Sequence, residues 1–594
     1  MIVSSLKNKI FDFFKKTKHS LDFFLFFKTS GRLDQVDIDK KLVYSLSPRK
    51  IPTTKQFKYL NKFLSPKESL ILKISLVILF LNIVYLGVIF FQNNFKNSPV
   101  FGGTYIEATV GYPRLINPLY AISRDVDNDL SRLIYSSLFS YDSFGVLQND
   151  LVESFTIDSE GKEYQLVIKE GVKWHDNEIL TSDDVVFTFN LIQDEKFNSP
   201  LRSELVGIKV EKINEKTIKF ILPEPYAPFL DLLTFGIMPQ HVWQGVSADT
   251  IILNDSNLKP IGSGPYKIKT LLKSKSGDLK EYQLIANLDY YKEVYIENLI
   301  IRFFSNNIEA IDSFNNNQVD GLSALPFVNK DDLLKRDSVN TYNLIKPQIV
   351  GLFFNLNKDG LKEVEIRTAL AKAIDKNDLI NNVYGNAYQV ASGPILKNSF
   401  AYNSEVENIN NYSKVEAAEK LAGKNLKIKL TAININGNSR VAEQIKSYWE
   451  SVGVSVEIDL ISLEQAAETI KKRDFDVILY GQLVGGDPDV YAFWHSSQAG
   501  SQGFNISEYK NDEVDKLLSE ARVATNELER IEKYKAFQNI VNTDVPVIFL
   551  YSPSYTYVQN KKVKGFVGDA IISPADRFGQ INDWYIKTKK IKAK

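Results

Sequence analysis

The sequence predicts an α/β protein with more than one lobe, preceded by a single transmembrane helix. Its 594 residues exceed the size at which one hydrophobic core stops growing, so at least two packed lobes are expected. A charge-free apolar run near the N-terminus predicts the transmembrane helix. Strand-like and helix-like segments alternate at residues 426–483, and this alternation predicts a mainly parallel sheet.

The apolar run occupies residues 74–91, 18 residues without a charge. As a helix rising about 1.5 Å per residue, it covers most of a hydrocarbon core of about 30 Å. It begins too far along the chain for a cleaved signal peptide and no small-residue cleavage site follows it, so we expect it to be retained. Asn82 is its one strongly polar residue, either tolerated singly or paired with another helix.

Charge is divided unevenly along the chain. Residues 1–73 contain 16 Lys or Arg and 6 Asp or Glu, which leaves 56 basic and 66 acidic residues of the 72 of each kind. Basic residues lie densely from Arg49 to Lys73, whereas only Lys96 closely follows the apolar run. The positive-inside bias therefore predicts a single-pass protein of the cell membrane, with a cytoplasmic N-terminus and a large extracytoplasmic body.

The first 30 residues combine basic side chains with phenylalanine clusters at residues 11–14 and 23–27. This pattern is typical of a helix lying in an anionic membrane interface, and it is equally compatible with a poorly ordered tail. The chain has no cysteine, which excludes disulfides, thiolate metal sites, a thiol nucleophile and a lipid-modified cysteine anchor.

The clearest structural pattern lies in the C-terminal half of the body. Strand-like segments at residues 426–433 and 454–462 flank a helix-like segment with one apolar face. The residues on that face are Val441, Ile445, Tyr448, Trp449 and Val452. Ser462 with Gln465 predicts a capping box for a second helix, and a third strand is expected at residues 475–483.

In open parallel sheets, ligands bind beyond the carboxyl ends of the strands, and the third strand leads directly into a loop rich in Gly, Asp and aromatic residues. Glycines let the backbone approach a ligand, carboxylates receive an ammonium or hydroxyls, and aromatic rings cover apolar groups. Alternatively, the two aspartates only cap local turns. The candidate ligand-binding residues of this loop are Val484, Gly485, Gly486, Asp487, Asp489, Tyr491, Trp494 and His495.

Several motifs in the body are similar to those of one family. The most specific is YQLVIKEGVKWHDNEILTSDDVVFTFN at residues 164–190, which resembles that family's strand, Gly-Val-Lys-aromatic-His-Asp turn and helix opened by Thr-x-x-Asp. GSGPY at 262–266 and the segments at 354–375 and 511–551 follow in the family's order. From about residue 102 to 566, the chain resembles the family 5 extracellular solute-binding proteins of peptide and nickel ABC transporters.

This resemblance implies a two-lobed periplasmic-binding-protein-like fold with an extra subdomain inserted in the first lobe. The lobes would close around a ligand like a hinged trap and dock on a permease. The expected division is a basic cytoplasmic segment at 1–73, a transmembrane helix at 74–91, a linker at 92–101, lobe I at 102–142 with 257–345 and 552–594, the inserted subdomain at 143–256, and lobe II at 346–551.

The function implied by the resemblance is a monomeric receptor, not an enzyme and without a cofactor, that captures an oligopeptide or dipeptide and delivers it to ABC transporter permease subunits. Other solutes, such as an oligosaccharide or a nickel complex, remain open. A third alternative is a ligand sensor that signals through the membrane helix to the basic segment.

One departure from the family affects the ligand. Peptide-binding relatives often carry, three residues before the Asp-Pro of this loop, an aspartate that receives the peptide ammonium, and Val484 stands there instead. Either Asp487, Asp489 or Asp125 substitutes for it, or the ligand lacks a free amino terminus. By the same comparison, Ser123, Arg124 and Asp125 are expected to face the cleft from the other lobe, where Arg124 is able to meet a carboxylate.

Other function classes have less support from the sequence. A hydrolase would need a positioned nucleophile and base, yet no Gly-x-Ser-x-Gly elbow is present and the only histidines are His19, His175, His241 and His495. No closely spaced histidine pair supports a metal site. Nucleic-acid binding is disfavoured because the basic segment adjoins the membrane and the body is acidic.

Overall fold

The computed structural model describes most of the chain. The described residues are 64–275, 277, 279–323, 338–385, 387–435 and 437–592. They fall into two units, one containing the N-terminal helix and the other spanning Pro99–Lys589. The phenylalanine clusters, and the basic residues that precede Leu64, lie outside the described residues.

The N-terminal helix, α1, spans Pro66–Asn94. Its 29 residues give a length of about 44 Å, which exceeds a hydrocarbon core of about 30 Å. In the described part of the chain, it is the one helix long and apolar enough to cross a membrane, although a signal sequence passes the same test. The Asn82 side-chain amide donates to the carbonyl of Ile78 at 2.9 Å, so it is satisfied within its own helix.

The remaining elements alternate between strands and mostly short helices. The strands are β1 Phe95–Val100, β2 Thr104–Val110, β3 Phe139–Tyr141, β4 Leu147–Asn149, β5 Val152–Ile157, β6 Glu163–Ile168, β7 Lys209–Asn214, β8 Thr217–Ile221, β9 Tyr266–Lys273, β10 Leu279–Ala286, β11 Asn298–Phe304, β12 Gly321–Leu322, β13 Val339–Ile345, β14 Gln348–Phe354, β15 Gln389–Val390, β16 Lys427–Ile433, β17 Ser455–Ile461, β18 Val477–Leu483, β19 Val547–Ser552, β20 Ser554–Asn560 and β21 Lys587–Lys592. The helices after α1 are α2 Asp125–Ile134, α3 Ser182–Gln193, α4 Arg202–Leu205, α5 Gln240–Trp243, α6 Ala248–Ile251, α7 Asn307–Asn315, α8 Val364–Lys372, α9 Lys376–Tyr384, α10 Lys414–Leu421, α11 Asn438–Glu450, α12 Leu463–Lys472, α13 Tyr491–Trp494, α14 Asp512–Val523 and α15 Glu527–Asp544.

Lobe I is built on a seven-stranded sheet in the order β13-β20-β12-β2-β11-β10-β9. β2 lies at its centre and pairs in parallel with β11 and β12, while the outer pairs are antiparallel. The sheet therefore joins strands from the start of the body to β20, which lies near its end.

The inserted subdomain carries a four-stranded antiparallel sheet in the order β5-β6-β8-β7. Helix α3 follows the family-like turn and begins with a capping box. The Thr181 hydroxyl accepts the backbone N–H of Asp184, and the Asp184 carboxylate accepts the backbone N–H of Thr181. Buried side chains of this sheet join those of lobe I in one continuous core.

The turn of the family-like motif has a structural role. The two ring nitrogens of His175 lie 3.3 Å from the backbone N–H of Gly262 and 3.2 Å from the carbonyl of Gly264, so the ring holds the GSGPY turn against this motif. Burial lowers the pKa of His175 to about 4. A neutral ring suits these two backbone partners, one a donor and the other an acceptor.

Lobe II contains a six-stranded sheet in the order β15-β19-β14-β18-β16-β17. β16 pairs in parallel with β17 and β18, which confirms the strand-helix-strand prediction. The pairs of β14 with β18, β14 with β19 and β15 with β19 are antiparallel, so the prediction of a mainly parallel sheet is wrong for this sheet as a whole. The predicted capping box of α12 is also present, with Ser462 and Gln465 bonding reciprocally. On the predicted apolar face of α11 and the turn after it, Trp449 and its apolar neighbours are buried, whereas Tyr448 is half-buried and its hydroxyl donates to Asp378.

The two lobes are connected by two strand crossings. β13 of lobe I continues through Lys346 and Pro347 into β14 of lobe II, and β19 of lobe II continues through Pro553 into β20 of lobe I. The backbone N–H of Lys346 donates to the carbonyl of Pro553 at 3.0 Å, so the two crossings lie side by side.

A buried ion network fastens the C-terminal segment to lobe I. The Arg577 guanidinium, which is fully buried, donates to both carboxylate oxygens of Asp129 at 2.7 and 2.6 Å and to Glu107 at 3.1 Å. The hydroxyls of Tyr105 and Tyr557 also donate to Glu107. Burial raises the pKa of Glu107 and of Asp129, and the Arg577 charge opposes this rise in both.

Candidate ligand-binding cleft

Two cavities flank the interlobe region. The larger, of about 650 Å³, lies beyond the carboxyl ends of β16 and β18 and beside the strand crossings. Its walls include Gly481 and Arg440 from lobe II, Lys346 and Gln348 from a crossing, and Asn307 from lobe I. Its position agrees with the rule that placed a ligand at the carboxyl edge of the parallel strands.

Tyrosine rings form part of the wall of the larger cavity. The centroids of Tyr384 and Tyr388 are 4.2 Å apart, and Tyr551 meets Tyr384 edge-on at 5.3 Å. The hydroxyls of Tyr384 and Tyr551 lie 3.2 Å from each other. Such rings offer apolar area together with a polar edge, which suits the side chains of a varied ligand.

The charged side chains that line the larger cavity, among the described residues, are Lys346 and Arg440. Burial lowers the pKa of Lys346, and the nearby carboxylate of Asp125 opposes this effect. No Asp or Glu is present among the described lining residues. This cavity therefore favours an anionic group, such as a carboxylate.

The three residues predicted to face the cleft from lobe I differ in their surroundings. Asp125 is exposed at the start of α2, and its charge is close enough to Lys346 to act on the pKa of that lysine. Arg124 is directed to its own lobe, since its Nε lies 3.6 Å from Asp127 and its Nη2 donates to the carbonyl of Tyr112. Ser123 is exposed, and its backbone N–H donates to the carbonyl of Tyr120.

The glycine loop after β18 packs against lobe I. Val484 is buried, and its backbone N–H donates to the carbonyl of Pro347 at 2.8 Å. Gly485 has a φ of 72°, in the left-handed region that favours glycine. A Cβ added to Gly486 would lie 2.6 Å from the Tyr141 hydroxyl, so only glycine permits this approach between the lobes.

The two aspartates of this loop have arginine partners within lobe II. Arg530 Nη2 donates to both carboxylate oxygens of Asp487, at 2.6 and 2.8 Å, and both side chains are about nine-tenths buried. Asp489 pairs with Arg522 Nε at 3.1 Å. Burial raises the pKa of Asp489, while Arg522 opposes the rise.

Both carboxylates also form the local turn contacts that were the alternative interpretation. Asp487 accepts the backbone N–H of Asp489 at 2.9 Å, and Asp489 accepts that of Tyr491 at 3.2 Å. Ligand contact by either aspartate stays a prediction, and its charge is already compensated by an arginine.

The aromatic residues after the loop lie in different environments. Tyr491 stacks on His495 at 4.2 Å, and the Arg522 guanidinium lies 4.6 Å from the Tyr491 centroid and 5.2 Å from that of Tyr226 in the inserted subdomain. Trp494 is only 2% exposed and packs in the core of lobe II, so it supports the loop from beneath. His495 Nδ1 lies 2.8 Å from the Ser497 hydroxyl.

Within the described ranges, no group of three His, Cys, Asp or Glu residues is placed to hold a metal ion.

The smaller cavity, of about 160 Å³, is formed by lobe I and the inserted subdomain. Tyr141 lines it, so it adjoins the point where Gly486 approaches lobe I. The Tyr141 hydroxyl donates to Asp231, which also lines the cavity. Burial raises the pKa of Asp231 to about 6, the charge of Asp487 adds to the rise, and the Tyr141 hydrogen bond and Arg530 oppose it.

Asp231 and a second acidic lining residue, Glu204, were not predicted from the sequence. Both belong to the inserted subdomain, and neither lies in a motif or in a regular strand or long helix. No spacing signal in the sequence links them, because tertiary packing alone brings them to one cavity.

Comparison with known proteins gives a consistent result. A model of the bacterial extracellular solute-binding proteins, family 5, matches residues 146–505. The dipeptide-binding protein of Escherichia coli is 27% identical over 505 residues, covering 79% of this chain and 92% of that protein. The oligopeptide-binding protein AppA of Bacillus subtilis is 26% identical over 494 residues, covering 79% and 90%.

A solved structure extends the likeness to three dimensions. The ABC transporter substrate-binding protein CtaP of Listeria monocytogenes superposes with a TM-score of 0.71 at 27% identity, covering 82% of this chain and 99% of that one. The two-lobed periplasmic-binding-protein-like fold is thereby confirmed. Because the family match spans more than half of the chain, the protein belongs to the family 5 bacterial extracellular solute-binding proteins, which are non-enzymatic receptors of ABC transporters.

Proposed function

We propose that this protein is a membrane-tethered receptor that captures a peptide between its lobes and delivers it to an ABC transporter permease. The observation that carries the proposal is the larger cavity, which combines Lys346 and Arg440 for a carboxylate with tyrosine rings for apolar side chains. Two relatives are an oligopeptide-binding and a dipeptide-binding protein, and this supports the same ligand class.

Capture would proceed by movement of the lobes about the two crossings. A ligand favours closure only through contacts made more strongly in the closed state, and the larger cavity offers such contacts from Asn307 in lobe I and Gly481 in lobe II. Lys346 lies at a crossing itself. A carboxylate bound there would act directly at the axis of movement.

Tethering would be provided by α1, retained as a single span with the N-terminus in the cytoplasm. The charge asymmetry of the sequence supports this orientation. A tether holds the receptor at high effective concentration beside a permease. Expressed in its native host, the full chain should stay in the membrane pellet after an alkaline carbonate wash and keep its N-terminal residues by mass spectrometry. A cleaved N-terminus would contradict the tether.

The ligand class is tested on the full chain purified in detergent micelles. Native mass spectrometry identifies any molecule that co-purifies, and thermal-shift panels contain short peptides, oligosaccharides and nickel with histidine. Peptides should raise Tm in a concentration-dependent manner, as linkage requires. Stabilisation by oligosaccharide or nickel alone would keep the family and overturn the peptide ligand.

The role of Lys346 gives a sharper test. Lys346→Gln should weaken binding of a peptide with a free carboxyl terminus by roughly ten- to a hundredfold, since a charged hydrogen bond contributes about 1.5–3 kcal/mol. The C-terminally amidated peptide should bind wild type and variant equally. Lys414→Gln, at an exposed position of α10, is the matched control and should change nothing. An unchanged affinity in Lys346→Gln would remove Lys346 from the site.

A further inference from the structure

The smaller cavity contains carboxylates that have no cationic partner in the described part of the chain. Its Asp576 is satisfied, because it pairs with Arg132 at 2.6 Å and accepts the backbone N–H groups of Ile572 and Ser573. Asp231 accepts the neutral Tyr141 hydroxyl and its own backbone N–H, while Arg530 acts on it only through its charge. Glu204 is exposed to solvent, and its side chain has no hydrogen bond or ion pair among the described residues. Asp231 therefore faces this cavity with no cation in direct contact, and Glu204 adds a second negative charge that is exposed to solvent.

A second polar group of the same wall is also unsatisfied. Tyr135 lines the cavity and is 3% exposed, and its hydroxyl has no hydrogen-bond partner among the described residues. A buried hydroxyl without a partner costs about 1–3 kcal/mol, so such groups are normally paired with protein, water or a ligand. This observation is independent of the two carboxylates.

The rest of the lining mixes apolar residues, among them Ile122, Leu201 and Phe235, with polar ones such as Asn128 and Ser131. A volume of about 160 Å³ equals the share of liquid taken by about five water molecules. Such a space accepts a short aliphatic chain that ends in a polar head. Because the uncompensated side chains at its wall are acidic, the head with the best electrostatic complementarity is cationic.

We propose that the smaller cavity is a subsite for a cationic group of the ligand, an ammonium or a guanidinium, received by the carboxylates of Asp231 and Glu204. This inference rests on the proposed function, because it assigns one end of the same ligand. It supplies the negative charge that Val484 does not, and it uses residues of the inserted subdomain, not the loop aspartates.

Helix α2 connects this subsite with the larger cavity. The carboxylate of its first residue, Asp125, acts on Lys346 in the larger cavity, while Asn128 and Ser131, one and two turns later, line the smaller one. A ligand lying along the start of α2 would direct its anionic end towards Lys346 and its cationic end towards Asp231. The cavities thus prescribe the direction in which a zwitterionic peptide binds.

The cation should also make binding depend on pH. Burial raises the pKa of Glu204 and of Asp231, the latter to about 6. The charged or titratable groups that face Asp231 are Tyr141, Asp487 and Arg530, and the Arg132–Asp576 pair shares the cavity. A cation binds the ionised carboxylates best, so affinity should rise as pH increases through about 6 and fall below it.

The test is calorimetric titration of the full chain in detergent micelles with four matched peptides. These are lysyl-leucyl-alanine, its N-acetylated form, the norleucyl analogue with a free amino terminus, and the N-acetylated norleucyl analogue, which has no cation. The acetylated norleucyl peptide should bind at least about tenfold more weakly than the best of the others at pH 7. Weakening by acetylation identifies the terminal ammonium as the bound group, whereas weakening by norleucine identifies the side chain.

Isosteric variants test whether the preference for a cationic peptide arises in the smaller cavity. Asp231→Asn with Glu204→Gln should abolish the preference for a cation and the pH dependence, and Glu178→Gln, at an exposed site of the same subdomain, should leave both unchanged. Equal binding of the acetylated norleucyl peptide by the wild type, or an unaltered preference in the double variant, would overturn the subsite while the peptide function stands.

If no peptide binds, the proposed function fails. Binding of a small organic cation then tests the subsite separately. Agmatine should raise the Tm of the wild type and not that of the double variant. Equal shifts in both proteins would overturn the subsite as well.

Discussion

Acidic residues in two neighbouring regions of this molecule have opposite surroundings. In the loop after β18, Asp487 and Asp489 are each neutralised by an arginine from the helices α14 and α15. In the smaller cavity, Asp231 and Glu204 have no such partner in the described chain, although the Asp487 charge is close enough to raise the pKa of Asp231. The comparison shows that the acidic residues of the glycine-rich loop are the ones with arginine partners, so we expect a ligand cation to bind the carboxylates that lack one.

The largest expected change in stability follows from breaking the ion pair between Asp487 and Arg530. Asp487→Ala leaves the Arg530 guanidinium buried without its anion, which costs about 3–5 kcal/mol in comparable pairs. We expect a fall of this size in the free energy of unfolding, measured in urea. Glu468→Gln, which removes an exposed pair with Lys472, should cause no measurable change. A small loss in Asp487→Ala would show that the loop charge is not structural.

Replacing Asp231 in the smaller cavity should raise the free energy of unfolding, whereas replacing Asp487 lowers it. The pKa of Asp231 is about 6 in the folded chain and about 3.9 when unfolded, so between these values the folded state binds a proton that the unfolded state lacks. Stability should therefore fall as pH rises through this window. Asp231→Asn should be more stable than wild type at pH 7 by on the order of 2–3 kcal/mol, and the two unfolding curves should converge near pH 4. Curves that stay parallel would mean that Asp231 is compensated after all.

The smallest effect concerns Asp489. Its partner Arg522 is about one-third exposed, and the asparagine of Asp489→Asn keeps an acceptor for the Tyr491 backbone N–H. Burial raises the pKa of Asp489 and so favours its neutral form, whereas loss of the Arg522 pair acts in the opposite direction. We expect the two effects to offset, with a change of at most about 1 kcal/mol in the free energy of unfolding. Greater loss than in Asp487→Ala would reverse the ranking that burial predicts.

Local patterns predicted the elements of lobe II well. The apolar face of α11, the Ser462 capping box and the parallel order of β16, β17 and β18 all depend on contacts within some sixty consecutive residues. The resemblance of the 164–190 motif predicted the family because that motif is itself a structural unit, with His175 bound to the GSGPY turn.

The site was harder to predict because its charges are balanced by distant residues. Asp487 meets Arg530, 43 residues later, and Tyr141 meets Asp231, 90 residues later. Trp494 is of a residue type that often covers apolar groups of a ligand. In this protein its ring lies against Phe537 and Phe549 in the core of lobe II. Residue type in one segment gives no information on such partners, so the pattern found the acidic loop and not the acidic cavity.

The buried contact of Arg577 with Glu107 and Asp129 has a consequence for how the chain is made. These partners are 470 and 448 positions apart, whereas lobe II uses one contiguous stretch from β14 to β19. During synthesis lobe II is complete before the last segment of lobe I leaves the ribosome, and long-range contacts form slowly. Lobe I should therefore be the last part to become protease-resistant in the newly made protein. A chain truncated before Arg577 should contain a folded lobe II and an incompletely folded lobe I.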